Sequence, residues 1–502
     1  MPKTRPFWLI SGRGESNILV LAPHGGISEK DLLTPEAWPR KGNDLRTATL
    51  ATRLAEELSA SFLINDSMDR NSIDLNRIDQ TARDAPVFLE ALETQLQDLL
   101  QSHERVQILV VHGWHITQAK VDFGVGQRLQ GALDDKADAD RLTCSREFLH
   151  GPLAHLCASL SKAGMEATCG EQWPGAHRNN MMQLFRQSGG APVPEACAPI
   201  RRIAASGRLD AVQLELGAPL RWDGPVCDQF CELLRKSLTA PGAASTMATT
   251  ALAAPVAKPF REPDPQQATI QFVDPRSGLI VLAGMALMPN RTMGARFMFF
   301  LPDGRVGVFV GHGRPRGALE IHGFALRPAA DVLSIEFDNH LYLSRTPARY
   351  FQFETEQSRT PLPAARLDCA ARSTDTGTAV TGDLHVDGEH YSIDAIGLPG
   401  PLAGGPFGRR AGRRLYLAYS DGMAETMRLP EGSLDEVCTA ADNRQFRIEA
   451  GPQIAVLRPQ PDRAMLLEFG PAKFRFTDGS HAIGLIESIR EIGPKPPSDL
   501  PG

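Results

Sequence analysis

The chain has 502 residues, eight scattered cysteines without a C-x-x-C pair, and a formal net charge of −6. It is long enough for two or three domains, and its cysteine usage fits a reducing compartment. Basic residues run no longer than pairs such as Arg409 and Arg410, the N-terminal apolar stretch is too short for a signal peptide, and no segment approaches the roughly 20 apolar residues of a membrane span. We therefore expect a soluble cytoplasmic protein that binds neither nucleic acid nor membrane, of unknown oligomeric state.

Strands alternate with helices in the first half of the chain. The strand candidates are short apolar runs at residues 17–21, 61–64, 107–112 and 211–216. The helix candidates are residues 45–59, which Asp44 would cap, residues 86–101, which begin with a proline, and residues 225–236. This alternation predicts an α/β domain over residues 1–237, with a largely parallel or mixed sheet.

The character of the chain changes across residues 238–264. This Ala/Thr/Pro-rich segment has almost no charge until its end, which indicates an interdomain linker. Beyond it, β-rich runs separated by Asp-Gly turns predict an all-β domain over residues 265–502, an antiparallel sandwich or a lipocalin-like barrel of unknown role. The runs are residues 269–273, 279–287, 296–301, 306–310, 332–337, 350–353, 415–419, 446–449, 465–469 and 473–476. The aromatic residues of this domain are expected in its core, and its histidines show no metal-site spacing.

Residues 19–29 end an apolar strand in Pro-His and two glycines. His24 lies where the strand runs out into a loop, and Gly25 and Gly26 allow the backbone to turn and to approach another segment closely. Glu29 follows five residues after His24. An imidazole and a carboxylate at the carboxyl end of a sheet strand can form half of a zinc site. A histidine satisfied within a tight turn is the alternative.

A second strand candidate, within QILVVHGWH, also ends in histidine and glycine. His112 terminates it, and His115 follows three residues later. Because the carboxyl ends of the strands gather along one edge of an α/β sheet, we expect His24, Glu29 and His112 to converge. Two imidazoles and one carboxylate leave a fourth position open for water, as hydrolytic zinc requires. His115 is the competing ligand, or instead contacts substrate.

Two polar segments supply candidate substrate-binding residues. In IDLNR, Asn76 and Arg77 can present a guanidinium beside an amide, and arginine binds a carboxylate in a bidentate way. In WPGAHRNN, His177 and Arg178 lie among polar neighbours that could hold a substrate. The alternatives are an ordinary surface turn with a salt bridge and a solvent-exposed loop.

Glu215 lies between two leucines in the strand candidate VQLEL. A carboxylate on a buried strand is costly unless it is paired or functional. If Glu215 faces a metal, it can act as general base on the bound water and then pass the proton to the leaving amine. An edge strand with Glu215 facing solvent is the alternative, and alternation alone does not separate the two.

Taken together, PHGG, VHG, DLNR and QLELG resemble the zinc carboxypeptidase superfamily, and within it the N-formylglutamate amidohydrolases and the phage-type poly-γ-glutamate hydrolases. The resemblance covers roughly residues 15–236 and implies a zinc carboxypeptidase-like fold for this part of the chain, a mixed sheet flanked by helices. The implied roles are His24, Glu29 and His112 as zinc ligands, Asn76 and Arg77 as the grip on a substrate carboxylate, and Glu215 as the catalytic base.

Two features of the motifs depart from the superfamily pattern. Four residues separate His24 from Glu29, whereas carboxypeptidases have two, and this spacing matches the poly-γ-glutamate hydrolases better. Gly25 stands where the formylglutamate enzymes commonly have serine.

The resemblance implies a zinc-dependent hydrolase that uses metal-activated water to cleave an amide bond in a carboxylate-bearing substrate, a small molecule or a peptide. An N-acyl amino acid such as N-formylglutamate, or a γ-glutamyl amide, would fit. A His₂Glu ligand set favours zinc over magnesium or calcium. Two alternatives stay open: a catalytically inactive two-domain protein that binds a ligand or a partner, and a metal-dependent deacylase of a non-peptide ester.

Overall fold

The structure is a computed structural model. It describes residues 6–26, 43–129, 138–190, 192–239, 267–288, 292–317, 319–329, 331–344, 362–374, 377–398, 412–419, 424–429, 438–439, 445–450, 454–459 and 463–494. The chain divides into two compact units, the first comprising Met1–His115 and Ala119–Pro259 and the second comprising Ile116–Gln118 and Phe260–Gly502. Most of the proposed linker lies outside the described residues, and the domain boundaries at 237 and 264 stay predictions.

The first unit is built around a seven-stranded sheet. Its strands are β1 (Leu9–Gly12), β2 (Ile18–Ala22), β3 (Ser61–Asn65), β4 (Val106–Gly113), β5 (Lys120–Gly124), β6 (Glu166–Cys169) and β7 (Leu209–Leu216). They lie in the order β1-β3-β2-β4-β7-β5-β6. The four central strands β3, β2, β4 and β7 are parallel to one another, whereas β1 and β5 are antiparallel to their neighbours β3 and β7. The prediction of an α/β region with a mixed sheet is confirmed.

Helices cover both faces of this sheet. They are α1 (Thr47–Glu57), α2 (Ile78–Asp84), α3 (Pro86–Ser102), α4 (Arg146–Phe148), α5 (Ala154–Lys162), α6 (Ala198–Ala204) and α7 (Pro225–Thr239). Because side chains alternate along a strand, Val20 and Leu21 of β2 belong to two different cores. The Val20 core contains residues of α1, α5 and α7, and the Leu21 core contains residues of α3 and α6. Within the described residues, no helix is long and apolar enough to span a membrane.

The predicted role of Asp44 as a helix cap is wrong. Helix α1 begins at Thr47, two residues later than expected, after Arg46 in a left-handed conformation with φ 63°. The side chain of Thr47 donates a hydrogen bond to the backbone carbonyl of Asp44. The Asp44 carboxylate instead contacts His24, His112 and Arg70.

The second unit consists of antiparallel sheets. The larger contains β8 (Gln267–Val273), β9 (Ile280–Leu287), β10 (Met293–Phe300), β11 (Val306–Gly313), β12 (Glu320–Ile321), β13 (Phe324–Ala329), β14 (Val332–His340), β15 (Tyr342–Ser344), β16 (Ala364–Thr374), β17 (Gly377–Val386) and β18 (Glu389–Gly397). Their order is β12-β13-β14-β16-β17-β18-β8-β9-β10-β11-β15. The smaller contains β19 (Gly412–Tyr419), β20 (Ala424–Leu429), β21 (Cys438–Thr439), β22 (Gln445–Ala450), β23 (Ile454–Pro459), β24 (Arg463–Phe476) and β25 (His481–Pro494). Its order is β20-β19-β25-β24-β22-β21, with β23 also paired to β24.

Aromatic rings show that the larger sheet curls onto its own core. Phe297 of β10 packs against Phe337 of β14, with ring centroids 4.4 Å apart, and Phe309 of β11 packs against Phe324 of β13, with centroids 6.0 Å apart. These strands come from opposite ends of the sheet, so its two ends face one another. The prediction of an all-antiparallel β region is confirmed.

The predicted β strands agree with the described ones except in one place. Residues 465–469 and 473–476 were expected as two strands, but they belong to the single long strand β24, which keeps its pairing with β25 through Gly470 and Pro471. The expected strand at residues 350–353 lies outside the described residues. The Asp387-Gly388 turn joins β17 to β18 with both φ angles positive, 54° and 79°, as a tight two-residue hairpin requires.

Candidate metal centre

The candidate site lies at the carboxyl ends of the central parallel strands of the first unit. His24 follows the end of β2 by two residues, His112 is next to last in β4, and Glu215 is next to last in β7. Glu215 has two register partners: His112 of β4 on one side and Asp122 of β5 on the other. Because register partners share a face of a sheet, these three side chains form a row across it.

Both histidines point at one carboxylate oxygen. The Nδ1 atoms of His24 and His112 lie 3.2 Å and 2.9 Å from Oδ2 of Asp44. All three residues are buried, and their ligand atoms lie within 4.8 Å of one another. This is the group in the described part of the chain that could hold a metal ion. Sequence reasoning missed Asp44, whereas its predicted ligand Glu29 lies outside the described residues and stays a prediction.

Glycines allow the segments of this cluster to approach one another closely. A Cβ atom on Gly25 would lie 2.6 Å from the backbone oxygen of Asn65, and one on Gly113 would lie 3.1 Å from Cβ of Asp44. Both distances are shorter than ordinary contacts. The Asn65 side chain also donates a hydrogen bond to the carbonyl of Pro23, which fixes the strand end just before His24.

Asp74 and Arg70 contact the cluster of His24, Asp44 and His112. Nε2 of His24 lies 2.7 Å from Oδ1 of Asp74, and the Arg70 guanidinium lies 3.0 Å from Oδ1 of Asp44 and 3.7 Å from Oδ2 of Asp74. A carboxylate on the far nitrogen of a ligating histidine orients its ring and sets its tautomer. Burial by itself would raise the pKa of Asp44, but the charges of His24 and Arg70 and the hydrogen bonds from both histidines hold that pKa well below its usual value. Asp44 is therefore ionised and could serve as a metal ligand.

The residues present fit a metal ion. Two imidazole nitrogens and one carboxylate oxygen form a ligand set that zinc accepts. Nε2 of His112 is buried without a hydrogen-bond partner among the described residues, so this ring is held chiefly by its contact with Asp44. Such an unsatisfied buried group is uncommon in folded proteins and recurs at metal and catalytic sites. His115 is half-buried and is not a member of the group.

Glu215 is a buried carboxyl group on a central strand. Strand β7 lies between β4 and β5, and Glu215 is 9% exposed, so the alternative of an edge strand facing solvent is excluded. The side-chain amide of Gln213 donates a 2.8 Å hydrogen bond to Oε1 of Glu215. Burial, with smaller contributions from the charges of Asp44 and Asp122, raises the pKa of Glu215 from 4.5 to about 7, against the opposing charge of His112. A carboxyl group with this pKa can both take up and release a proton near neutral pH.

The structure brings two predicted substrate-binding segments side by side. Arg77 pairs with Asn180 in an isolated antiparallel bridge, and its guanidinium NH1 donates a 3.2 Å hydrogen bond to Nδ1 of His177. Burial, followed by the charges of Arg77 and Arg178, lowers the pKa of His177. His177 is therefore a neutral acceptor that orients Arg77, whose Nε also lies 3.8 Å from Asp74.

Asn76 and Arg178 are the remaining predicted substrate-binding residues of these two segments. The side-chain oxygen of Asn76 accepts a 3.2 Å hydrogen bond from the backbone N–H of Met181. Arg178 is exposed on the same loop. The substrate-binding roles of Asn76, Arg77, His115, His177 and Arg178 stay predictions.

No protein-family profile matches the chain, and no curated protein matches it. Similar solved structures include the gene product Atu2144 from Agrobacterium tumefaciens (12% identity, TM-score 0.31, covering 46% of this chain and 93% of that one) and an N-formylglutamate amidohydrolase from Ralstonia eutropha JMP134 (14% identity, TM-score 0.31, 46% and 93%). A kievitone hydratase from Nectria haematococca is also similar (10% identity, TM-score 0.22, 45% and 88%). At these identities and TM-scores, the likeness assigns no activity to this chain.

Proposed function

We propose that the chain is a zinc-dependent hydrolase that cleaves an amide bond in a carboxylate-bearing substrate, such as N-formylglutamate, another N-acyl amino acid or a γ-glutamyl amide. The observation that carries this proposal is the convergence of His24 and His112 on buried Asp44, with the buried acid Glu215 in register beside His112. The proposal includes a zinc carboxypeptidase-like fold for the first unit and a sandwich or lipocalin-like barrel for the second.

His24, Asp44 and His112 would hold the zinc ion. When bound there, zinc would polarise the scissile carbonyl and lower the pKa of the attacking water. Asp44 supplies the carboxylate ligand in this proposal, and Asp74 fixes the His24 ring through its far nitrogen. Arg70 offsets part of the negative charge that these two carboxylates concentrate.

Glu215 is the general base and then the general acid. In its ionised form it takes a proton from the attacking water, and it returns that proton to the departing nitrogen. Gln213 holds Oε1 of Glu215 by its hydrogen bond, so Oε2 is the oxygen that carries the proton. In the metal-free protein the pKa of Glu215 is about 7, so neither protonation state is strongly disfavoured at neutral pH.

Arg77 is the clamp for the substrate carboxylate. His177 and Asp74 contact its guanidinium from two directions, which limits the conformations open to the free side chain. A fixed guanidinium loses less entropy when it pairs with a carboxylate. The substrate is therefore expected to be a small molecule or peptide with a carboxylate near the scissile amide.

Metal content tests the site. Purified wild-type protein should contain about one zinc per chain, and His24→Ala should lose it, whereas His150→Ala, at an exposed position of the same unit, should keep it. Wild-type protein that binds no metal after zinc is supplied would overturn the proposal.

Turnover tests the chemistry. The zinc-loaded protein should hydrolyse N-formyl- or N-acetylglutamate, and Glu215→Gln should keep its zinc and lose about 100- to 10,000-fold in kcat. Normal turnover by this variant would exclude Glu215 as the base. Hydrolysis of acyl esters but not of amides would instead support a deacylase of non-peptide esters.

A further inference from the structure

One exposed tryptophan has its backbone bonded to neighbours of the proposed base. The Trp173 side chain is 42% exposed, whereas Trp114 and Trp222 are buried. The two indoles of Trp173 and Trp114 meet edge to face, with ring centroids 6.4 Å apart and planes at 87°. Trp114 follows His112 by two residues. The pair therefore forms an aromatic surface that is buried on the Trp114 side and open on the Trp173 side.

The backbone of Trp173 is held firmly in place. Its N–H donates a 2.6 Å hydrogen bond to Oδ2 of Asp122, and its carbonyl accepts a 3.5 Å hydrogen bond from the side chain of Gln213. Asp122 also accepts hydrogen bonds from the N–H groups of the two preceding residues, Glu171 and Gln172. The exposed indole is thus mounted on an anchored backbone and does not sit on a free loop.

A close approach between two backbones supports the same conclusion. A Cβ atom on Gly124 of β5 would lie 2.5 Å from the carbonyl oxygen of Trp173. Only glycine at this position lets the loop pack so tightly on the strand. The position of the Trp173 backbone is therefore fixed by residues of the sheet, namely Asp122, Gly124 and Gln213.

The two anchors of Trp173 are also the immediate neighbours of Glu215. Asp122 is the register partner of Glu215, and Gln213 donates to Oε1 of Glu215. The other end of the 173–180 loop contacts the proposed clamp, since His177 accepts a hydrogen bond from Arg77. The loop therefore begins beside the base and ends at the clamp.

We propose that Trp173, backed by Trp114, contacts the acyl group of the substrate and selects amino acids that carry an aromatic N-acyl group. This inference rests on the proposed function, in which Arg77 takes the carboxylate and Glu215 serves the scissile amide. With the carboxylate at the far end of the loop, the acyl group lies toward Trp173. A flat aromatic acyl group gains both apolar burial and ring–ring contact against an indole, which a formyl or acetyl group cannot.

Binding measured without turnover tests this inference. Isothermal titration calorimetry would compare N-benzoyl-L-glutamate with N-acetyl-L-glutamate on the zinc-loaded Glu215→Gln variant. The benzoyl compound should bind about tenfold more tightly. Adding Trp173→Ala should abolish this preference and change the acetyl affinity by less than about twofold, whereas Trp173→Phe should keep most of the preference.

A matched control is Phe7→Ala. Phe7 is an exposed aromatic residue, 91% exposed, that precedes β1 at the opposite edge of the sheet. The Phe7→Ala substitution should leave the affinities for the benzoyl and the acetyl compound unchanged. Equal affinities of the two compounds, an unaltered preference in Trp173→Ala, or no binding of either compound would overturn the inference.

Failure of the proposed function would look different. In that case the wild-type protein hydrolyses neither compound, yet the benzoyl preference and its loss in Trp173→Ala persist. Such a result would leave an aromatic binding site beside an inactive metal centre.

Discussion

Replacing Glu215 with glutamine should stabilise the metal-free protein at alkaline pH. The pKa of Glu215 is raised from 4.5 to about 7 by burial, so between these values the folded state keeps a proton that the unfolded state has released. The free energy of unfolding therefore falls as pH rises through this window, and above it the ionised, buried carboxylate costs about 3 kcal/mol. Glutamine has a similar shape and no charge, so it avoids this cost.

Urea denaturation followed by tryptophan fluorescence measures the difference. All five tryptophans lie between residues 8 and 222, so their emission reports on the first unit. Glu215→Gln should exceed the wild type by about 3 kcal/mol near pH 8.5 and by little near pH 4.5. Glu195→Gln, at an exposed position of the same unit, should show no such pH-dependent gain. A Glu215→Gln difference that stays constant with pH would refute the buried-acid reasoning.

Three further substitutions probe the surroundings of the site. Asp74→Asn should weaken zinc binding about 10- to 100-fold in a chelator competition, because it loosens the His24 ring; unchanged affinity would remove Asp74 from the metal's support. Arg77→Ala should raise KM for N-acylglutamates about 10- to 100-fold with little change in kcat, and an unchanged KM would rule out the clamp. Gly124→Ala should destabilise the first unit by about 1–3 kcal/mol, because its Cβ would overlap the Trp173 carbonyl; a denaturation midpoint equal to that of the wild type would show that the loop yields instead.

The central strands of the first unit could be predicted from sequence because they are apolar runs, whereas many other strands, among them β1, β6, β16, β17 and β18, were not predicted. Strands β2, β3, β4 and β7 are short apolar segments, and their hydrophobicity alone marks them. Strand β5 was not predicted, because Lys120 and Asp122 interrupt its apolar pattern. Both are buried: Lys120 pairs with Glu166 at 2.8 Å, and Asp122 accepts four hydrogen bonds, including one from Thr168. Charges that are satisfied by distant partners look like surface residues in a linear pattern.

Sequence could likewise predict some residues of the candidate site and not others. His24 and His112 could be found because the carboxyl ends of parallel strands meet at one edge. Asp44 could not, because an aspartate just before a helical pattern predicts a cap, and its real partners lie 20 and 68 residues away. Asp74 belongs to the same motif as Asn76 and Arg77, but the motif was interpreted only as a binding site for a substrate carboxylate, so Asp74 was not predicted.

The strand order β4-β7-β5 has a consequence for how the chain folds during synthesis. Strand β7 joins β4, which precedes it by about 100 residues, to β5, and it is the last of the seven strands to leave the ribosome. Until it arrives, β4 and β5 present unpaired inner edges, which are prone to pair with other chains. Nascent chains that stop before residue 209 should therefore be vulnerable to aggregation and protease, although they already carry both histidines and Asp44. Insertion of the strand that bears Glu215 then closes the sheet and, in the same step, completes the proposed site.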